Sequence, residues 1–109
     1  MADVRELARI FKALSDPTRL KLVMLLQKCK PDLNSPDLCE GGQLCVNALA
    51  HRLGVTQSAV SQHLRVLRQA GIVRGERRGN FMHYAIDQSG LEKCKAAFEE
   101  SLGGTVDIA

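Results

Sequence analysis

The chain has 109 residues, of which 45% are hydrophobic and 25% are charged, and its formal net charge is +3 at pH 7. This length and composition predict one globular domain over residues 1–109 and exclude a disordered chain. The longest apolar run, residues 22–26, is too short to span a bilayer and no secretory signal begins the chain, so we expect a cytoplasmic protein without a membrane partner.

Two helices are predicted before residue 29. Residues 3–14 carry apolar side chains at helical spacing. Asp16 and Pro17 suit the N-cap and the first position of a second helix, and residues 18–28 are apolar around most of its circumference. This second helix is therefore expected to be central to the core.

A long connection follows these helices. Residues 29–44 contain two prolines and two glycines and have little periodicity, which predicts a flexible loop. Loops of this length in compact domains are usually functional or mobile.

Residues 46–70, VNALAHRLGVTQSAVSQHLRVLRQA, predict a helix-turn-helix. The first helix has an apolar stripe made of Val46, Leu49, Ala50 and Leu53. Gly54 then supplies the left-handed residue that often ends a helix, and Thr56 is suited to cap the next one. The turn between the two helices is therefore expected to be tight.

The second helix of this motif has two contrasting faces. One face carries Val60, Leu64 and Leu67, and the opposite face carries Ser58, Ser61, Gln62, Arg65 and Gln69. Gln and Arg pair well with the edges of adenine and guanine, so this face suits the major groove of DNA. The alternative is an ordinary solvated face. The absence of Asp and Glu from residues 50–75 favours DNA.

Positive charge is concentrated in this part of the chain. Six arginines and one glutamate lie within residues 50–86, which gives +5 and leaves −2 for the remaining residues. Such a distribution is typical of a surface that contacts phosphate.

A β-hairpin and a last helix are predicted after the motif. Residues 72–74 and 81–86 have the pattern of two short strands, with Gly79 and Asn80 at the turn and arginines near the tip. A final helix carries one apolar face and gives way to a C-terminal tail, residues 103–109; that face consists of Leu91, Cys94, Phe98 and Leu102.

The predicted order is mainly helical with a β-hairpin wing, which is the order of a winged helix-turn-helix domain. The segment ALSDPTRLKLVMLL, followed by LAHRLGVTQSAVSQHLRVLRQAGIVRGERRGNFMHYAI, resembles the ArsR/SmtB family of repressors. That resemblance implies a repressor that leaves DNA when an effector binds, and a homodimer joined mainly by the first and last helices. The alternative for the two terminal apolar stripes is that both close over the core of a single chain.

The predicted partner is double-stranded DNA with an inverted-repeat operator, and DNA binding is expected to need no cofactor. His63 lies about 60° from the core direction of its helix, which favours a boundary position or a phosphate contact over a metal ligand. The predicted DNA-binding residues are Thr56, Gln57, Ser58, Ser61, Gln62, His63, Arg65, Arg77, Arg78 and Asn80.

The effector sites that the resemblance implies are incomplete in this sequence. One family site is a Cys-Val-Cys in the first helix of the motif, and here those positions are Cys45, Val46 and Asn47. Another uses Asp, His and Glu on the last helix. Here the residues near those places are Gln88, Ser89, Gly90, Ser101 and Gly104.

Four cysteines in a cytosolic chain indicate metal or redox chemistry more than a structural disulfide. We predict that Cys45, with Cys39 and Cys29, binds a thiophilic metal or metalloid ion such as arsenite or antimonite. The alternative is a repressor that senses thiol oxidation or persulfide. Cys94 is expected to be a small core hydrophobe, and it is the next candidate sensor.

Two other classes of function compete with a repressor. A winged helix that binds protein is opposed by the arginines of the wing. A thiol oxidoreductase using Cys39 or Cys45 is opposed by the absence of a Cys-x-x-Cys motif, and no catalytic triad or phosphate loop is present. We therefore expect that the protein is not an enzyme.

Overall fold

The structure, a computed structural model, describes residues 4–28 and 44–103. These residues form a mainly helical domain with an antiparallel two-stranded wing, as predicted for a winged helix-turn-helix. The elements are α1 (Val4–Leu14), α2 (Pro17–Gln27), β1 (Leu44–Cys45), α3 (Val46–Leu53), α4 (Gln57–Gln69), β2 (Val73–Arg78), β3 (Phe81–Ile86) and α5 (Gln88–Phe98), which continues into a π-helical turn (Glu99–Gly103).

The helices begin and end where short side chains satisfy their terminal backbone groups. Asp16 caps α2 by accepting hydrogen bonds from the N–H groups of Thr18 and Arg19, and Pro17 takes the first helical position. Gly54 ends α3 with a φ of 67°, a left-handed conformation that favours glycine. These predictions are confirmed.

The strands form one antiparallel sheet in the order β1-β3-β2. The prediction that residues 29–44 form one loop is wrong at its end, because Leu44 pairs with Tyr84 and Cys45 with His83. A strand of two residues is too short to show alternation, so the sequence pattern did not reveal it. Residues 29–43 lie outside the described residues.

Two other boundaries differ from the prediction. The first wing strand extends to Arg78, since Arg77 pairs with Met82 and Arg78 with Phe81, so both arginines belong to the ladder. The predicted tail at residues 103–109 begins one residue too early, because Gly103 still belongs to the π-helical turn. Residues 104–109 lie outside the described residues.

The core is formed by α2, α3, α4 and the sheet, together with the inward sides of α1 and α5. Leu22 and Leu26 of α2 are fully buried, which confirms that this helix is central. Its circumference is not uniformly buried, however, since Leu20 and Met24 are exposed on its other side. The remaining fully buried large side chains are Leu49, Val60, Leu64, Leu67, Ile72 and Val73.

Apolar side chains remain exposed on α1 and α5. Phe11 and Phe98 are 40% and 47% exposed, although their rings meet edge to face with centroids 6.0 Å apart. Val4 and Leu102 are exposed further still. We call these four residues the apolar end. Because of them, the two terminal stripes do not close completely over the core of one chain. No helix within the described ranges is long and apolar enough to span a bilayer.

Candidate nucleic-acid interface

The turn between α3 and α4 is held by contacts on both of its sides. The N–H of Val55 donates to the carbonyl of Ala50 at 3.1 Å, and the Thr56 hydroxyl accepts from the N–H of Ala59 at 3.1 Å. On the exposed side, Nε2 of Gln57 donates to Oδ1 of Asn47 at 2.7 Å. These bonds fix the direction in which α4 leaves the turn.

The two faces predicted for α4 are present in the structure. Val60, Leu64 and Leu67 are completely buried and attach the helix to the core. All members of the polar set on the opposite face are exposed: Ser58, Ser61, Gln62, Arg65 and Gln69. This face therefore offers hydrogen-bonding and cationic groups without carboxylates. Contact of these residues with DNA stays a prediction.

His63 lies at the edge of α4 against α2. Its side chain is half-buried, and its Nδ1 is 3.3 Å from Nη1 of Arg19. Because a guanidinium only donates hydrogen bonds, Nδ1 accepts and the ring proton lies on Nε2. The boundary position predicted for His63 is thus confirmed, whereas its contact with phosphate remains a prediction.

The wing carries its polar groups near the turn at Gly79 and Asn80. Asn80 and Arg77 are exposed. Since side chains alternate across a strand, Arg77 shares the sheet face of the buried Val73 but lies four residues nearer the tip. Arg77 is therefore placed beyond the core, on the face that the sheet turns toward the body of the domain.

Of the three predicted sensor cysteines, the structure describes Cys45. Cys45 is half-buried and caps α3, where its Sγ accepts from the N–H of Ala48 at 3.4 Å. Cys29 and Cys39 lie outside the described residues. In residues 4–28 and 44–103, no group of three His, Cys, Asp or Glu side chains could hold a metal ion.

Cys94 occupies the core position that was predicted for it. It is 9% exposed on α5 and faces a cavity of about 510 Å³ that Glu6 also lines. Burial raises the pKa of the Cys94 thiol above its usual value, and the nearby Glu6 carboxylate raises it further. This environment favours the neutral thiol and makes Cys94 a poor nucleophile at neutral pH.

Arg19 joins three helices, a role that no pattern in the sequence predicts. Its Nε donates to the carbonyl of Ala13 at 2.6 Å and its Nη2 to that of Lys12 at 3.3 Å, while Nη1 reaches His63 on α4. Periodicity within one helix carries no signal for a contact between residues 19 and 63. Arg19 thereby links the end of α1 to the side of α4.

Asp16 lies beside this junction. The backbone N–H of Arg19 holds the pKa of the Asp16 carboxyl below its usual value, and the N–H of Thr18 and the positive charge of Arg19 act in the same direction. The carboxylate is therefore favoured at the start of α2.

Comparison with known proteins gives consistent results. Residues 16–74 match the arsR family of bacterial regulatory proteins. The chain is 30% identical over 83 residues to the transcriptional repressor SdpR of Bacillus subtilis, an alignment that covers 76% of this chain and 78% of the relative. It is 35% identical over 78 residues to the arsenical resistance operon repressor of Escherichia coli, which covers 72% of this chain and 56% of the relative.

A similar solved structure is that of a possible transcriptional regulator for arsenical resistance. It superimposes with a TM-score of 0.66 at 35% identity, over 84% of this chain and 81% of the other.

Proposed function

Because the chain belongs to the arsR family of DNA-binding transcriptional repressors, we propose that it binds an inverted-repeat operator as a homodimer and leaves it when an effector reacts at Cys45. The observation that carries the DNA-binding part is the face of α4 opposite its buried stripe. This face is polar and cationic, and each of its residues is exposed.

In this proposal α4 enters the major groove, where Gln62 and Arg65 contact base edges and Ser58 and Ser61 contact bases or phosphates. Thr56, which caps α4, lies near the DNA backbone in this arrangement. Gln57 contributes through its bond to Asn47, which orients its amide, and His63 contributes from the edge of the helix. The wing supplies phosphate contacts from Arg77, Arg78 and Asn80.

The proposed homodimer rests on the apolar end. Exposed Phe11 and Phe98 pack together across α1 and α5, and Val4 and Leu102 extend the same kind of surface. Contiguous exposed apolar patches mark interaction surfaces in soluble proteins, and a two-fold dimer is the commonest assembly of identical chains. Two copies of α4 in such a dimer require an operator with two related half-sites.

The effector part of the proposal rests on the position of Cys45. Its Sγ caps α3, and its backbone belongs to β1, which pairs with the wing strand β3. An ion or sulfur atom bonded to Sγ competes with the Ala48 N–H for the same lone pairs and disturbs the start of α3. A change there reaches both α3 and the wing, so the two states differ in affinity for DNA.

Arsenite and antimonite are the first effectors to test, with Cys39 and Cys29 as the further thiol ligands. The similar repressor of Escherichia coli is named for arsenical resistance. Asn47 favours a second candidate, sensing of oxidants or persulfides. It stands two residues after Cys45, and its side chain accepts a hydrogen bond from Gln57 instead of offering a second thiolate.

Selection of bound duplexes from a random pool tests the DNA-binding part. We expect an inverted repeat whose half-site centres lie about one helical turn, about 34–36 Å, apart. A consensus without internal symmetry would contradict the dimeric mode of binding. No enrichment at all would contradict sequence-specific binding.

Release from the selected operator tests the effector part. Cys45→Ser is expected to bind the operator normally and to ignore arsenite, antimonite, peroxide and persulfide, whereas Cys94→Ala, the matched control, responds like the wild type. Native mass spectrometry of the treated protein separates a bound ion from added oxygen or sulfur. Release of Cys45→Ser at wild-type effector concentrations would place the sensor elsewhere.

A further inference from the structure

The helix α1 has three distinct sides. At about 100° per residue, the buried Ile10 and Ala13 define the side that faces the core, and the exposed Val4 and Phe11 define a second side. Arg9 and Lys12 lie on the third side, which faces neither the core nor the apolar end, and both are exposed. A dimer formed through the apolar end therefore leaves the side of Arg9 and Lys12 accessible.

This third side forms one wall of a groove of about 420 Å³ between α1 and α4. We call it the basic groove; its lining residues are Arg9, Lys12, Ala13, Arg19, Val66 and Gln69. Each ionisable side chain among these lining residues is basic. The carboxylate of Asp16, which lies near Arg19, accepts backbone N–H groups at the start of α2 and is not part of the lining.

Arg19 gives the basic groove a fixed inner end. Its three contacts, with the carbonyls of Lys12 and Ala13 and with His63, use three of the five N–H donors of a guanidinium. These bonds fix the guanidinium between α1 and α4, so its charge is positioned before any ligand arrives. Arg9 and Lys12 add two more charges along the rim.

The basic groove is continuous with the face of α4 that is proposed to contact bases. Gln69 belongs both to that exposed face and to the groove lining, and Val66 lies one turn after Gln62. The major groove is about 12 Å wide and is bordered by phosphates, and a helix with its side chains is about 10–12 Å across. An element packed against the flank of a helix that fills the groove therefore lies on the side of one of the two bordering backbones.

From this placement we infer that the basic groove binds a phosphodiester of the DNA backbone bordering the half-site read by α4, with Arg9 and Lys12 as its outer contacts. The inference rests on the proposed function, because it requires α4 to lie in the major groove. It extends the DNA-binding surface to α1, a helix whose sequence pattern indicated only packing. Arg19 positions the site, since it holds α1 against α4.

The test combines a protein variant with a neutralised phosphate. Operator duplexes are made with a single methylphosphonate, which removes one backbone charge, at successive positions bordering each half-site. These duplexes are titrated with wild type and with the double variant Arg9→Gln/Lys12→Gln. We expect one bordering position per half-site at which the methylphosphonate weakens the wild type but does not weaken the variant further.

The salt dependence gives a second readout. A plot of the logarithm of the DNA-binding constant against the logarithm of the salt concentration has a slope whose magnitude falls by about 0.9 for each phosphate that the protein no longer neutralises. A dimeric variant that leaves one phosphate free at each half-site should therefore show a slope smaller in magnitude by about two. Lys21→Gln is the control for loss of a cation outside the groove, because Lys21 is exposed on α2 and does not line the groove; it removes one charge where the double variant removes two. It is expected to keep the wild-type slope.

Purely additive losses of affinity at all scanned positions, or equal slopes for the double variant and Lys21→Gln, would overturn the inference. A changed base preference in the double variant would overturn it as well, because a phosphate contact carries no sequence information. Failure of the wild type to select any operator would instead refute the proposed function, so the two failures are distinguishable.

Discussion

The two ends of this domain expose opposite kinds of side chain. At the helix-turn-helix end, α4 buries each residue of its apolar stripe completely and presents only polar and cationic groups. At the apolar end, Phe11 and Phe98 remain almost half-exposed in spite of their contact with each other. The same chain thus completes its core at one end and leaves it uncovered at the other.

This difference separates the two partners that we propose for the domain. A polar surface without carboxylates gains little from a protein partner but suits the phosphates and base edges of DNA. Apolar surface gains free energy of about 25 cal/mol for each Å² removed from water, and a second copy of the same end offers such a cover.

The largest effect is expected from a charge at the apolar end. Phe98→Asp should dissociate the proposed dimer, since a carboxylate buried without a partner is strongly unfavourable. Operator affinity should then fall by about 10²–10⁴-fold, the contribution of linking two half-site contacts. Analytical ultracentrifugation measures the dimer and band-shift titration the affinity.

Gln88→Asp is the control for this variant, because it introduces the same charge at an exposed position of α5. It should remain a dimer with wild-type affinity. A Phe98→Asp protein that is folded by circular dichroism and still dimeric would show that the apolar end is not the interface.

A second large effect is expected where the two ends join. Gly90 lies at the start of α5, and a Cβ there would collide with the carbonyl oxygen of Gly71, just after α4. Gly90→Ala therefore forces α5 away from the end of α4, and overpacking of this kind typically costs about 1–3 kcal/mol. Urea denaturation should show the lower free energy of unfolding.

Ser89→Ala, at the exposed neighbouring position, is the control. Equal decreases in the free energy of unfolding for both variants would mean that the close approach of Gly90 to Gly71 is unimportant.

Base contacts come next. Gln62→Ala and Arg65→Ala should each weaken operator binding by about 1–3 kcal/mol and relax the preference at one base position. Arg68→Ala is the control, because it removes the same charge from the same helix at a position that points about 60° away from Arg65 around the helix axis. Selection from random duplexes with each variant measures the preference. Unchanged consensus sequences for Gln62→Ala and Arg65→Ala would remove these residues from base contact.

Prediction from sequence succeeded best where structure is local. Asp16, Gly54 and Thr56 were predicted as helix ends because caps depend on residues within one turn, and the faces of α4 follow from a spacing of 3.6 residues. The contrast in exposure between the two ends was only partly predictable, because the spacing of an apolar stripe does not show which of its residues are buried in the core. Leu91 is half-buried and Cys94 is buried, yet Phe98 on the same stripe is exposed.

Contacts between distant segments were not predictable from the sequence alone. The pairing of Cys45 with His83 depends on how the sheet assembles, and the contact of Arg19 with His63 depends on how α2 packs against α4. The basic groove likewise depends on how helices that are distant in the sequence pack together. Arg9 and Lys12 look like ordinary solvated charges on α1 until α4 is placed beside them.

A smaller effect is expected from the wing. Arg77→Ala should weaken binding to all sequences alike and reduce the salt slope by about 0.9 for each phosphate that the wing no longer neutralises. The control is Arg74→Ala, which removes the same charge from the same strand at a position opposite Ala85, near the base of the hairpin. If Arg77→Ala altered the selected consensus instead, the wing would contact bases and not only the backbone.

The smallest effect concerns the junction at Asp16 and depends on pH. Its carboxyl has a lowered pKa in the folded chain, relative to an ordinary value of 3.8, chiefly because the Arg19 N–H donates to it. A depressed pKa means that the folded state favours the carboxylate, so this contribution to stability is complete above pH 3.8 and is lost as pH falls below 3.8 through the lowered pKa. Asp16→Asn keeps an oxygen that can cap α2 but has no charge to lose. Urea denaturation at fixed protein concentration should therefore show wild type more stable than Asp16→Asn at neutral pH, with the difference shrinking in acid.

Ser15→Ala, which removes the neighbouring hydroxyl bonded to the Lys12 carbonyl, should give a difference that does not vary with pH. A pH-independent difference for Asp16→Asn would show that its carboxylate charge does not stabilise the junction between α1, α2 and α4.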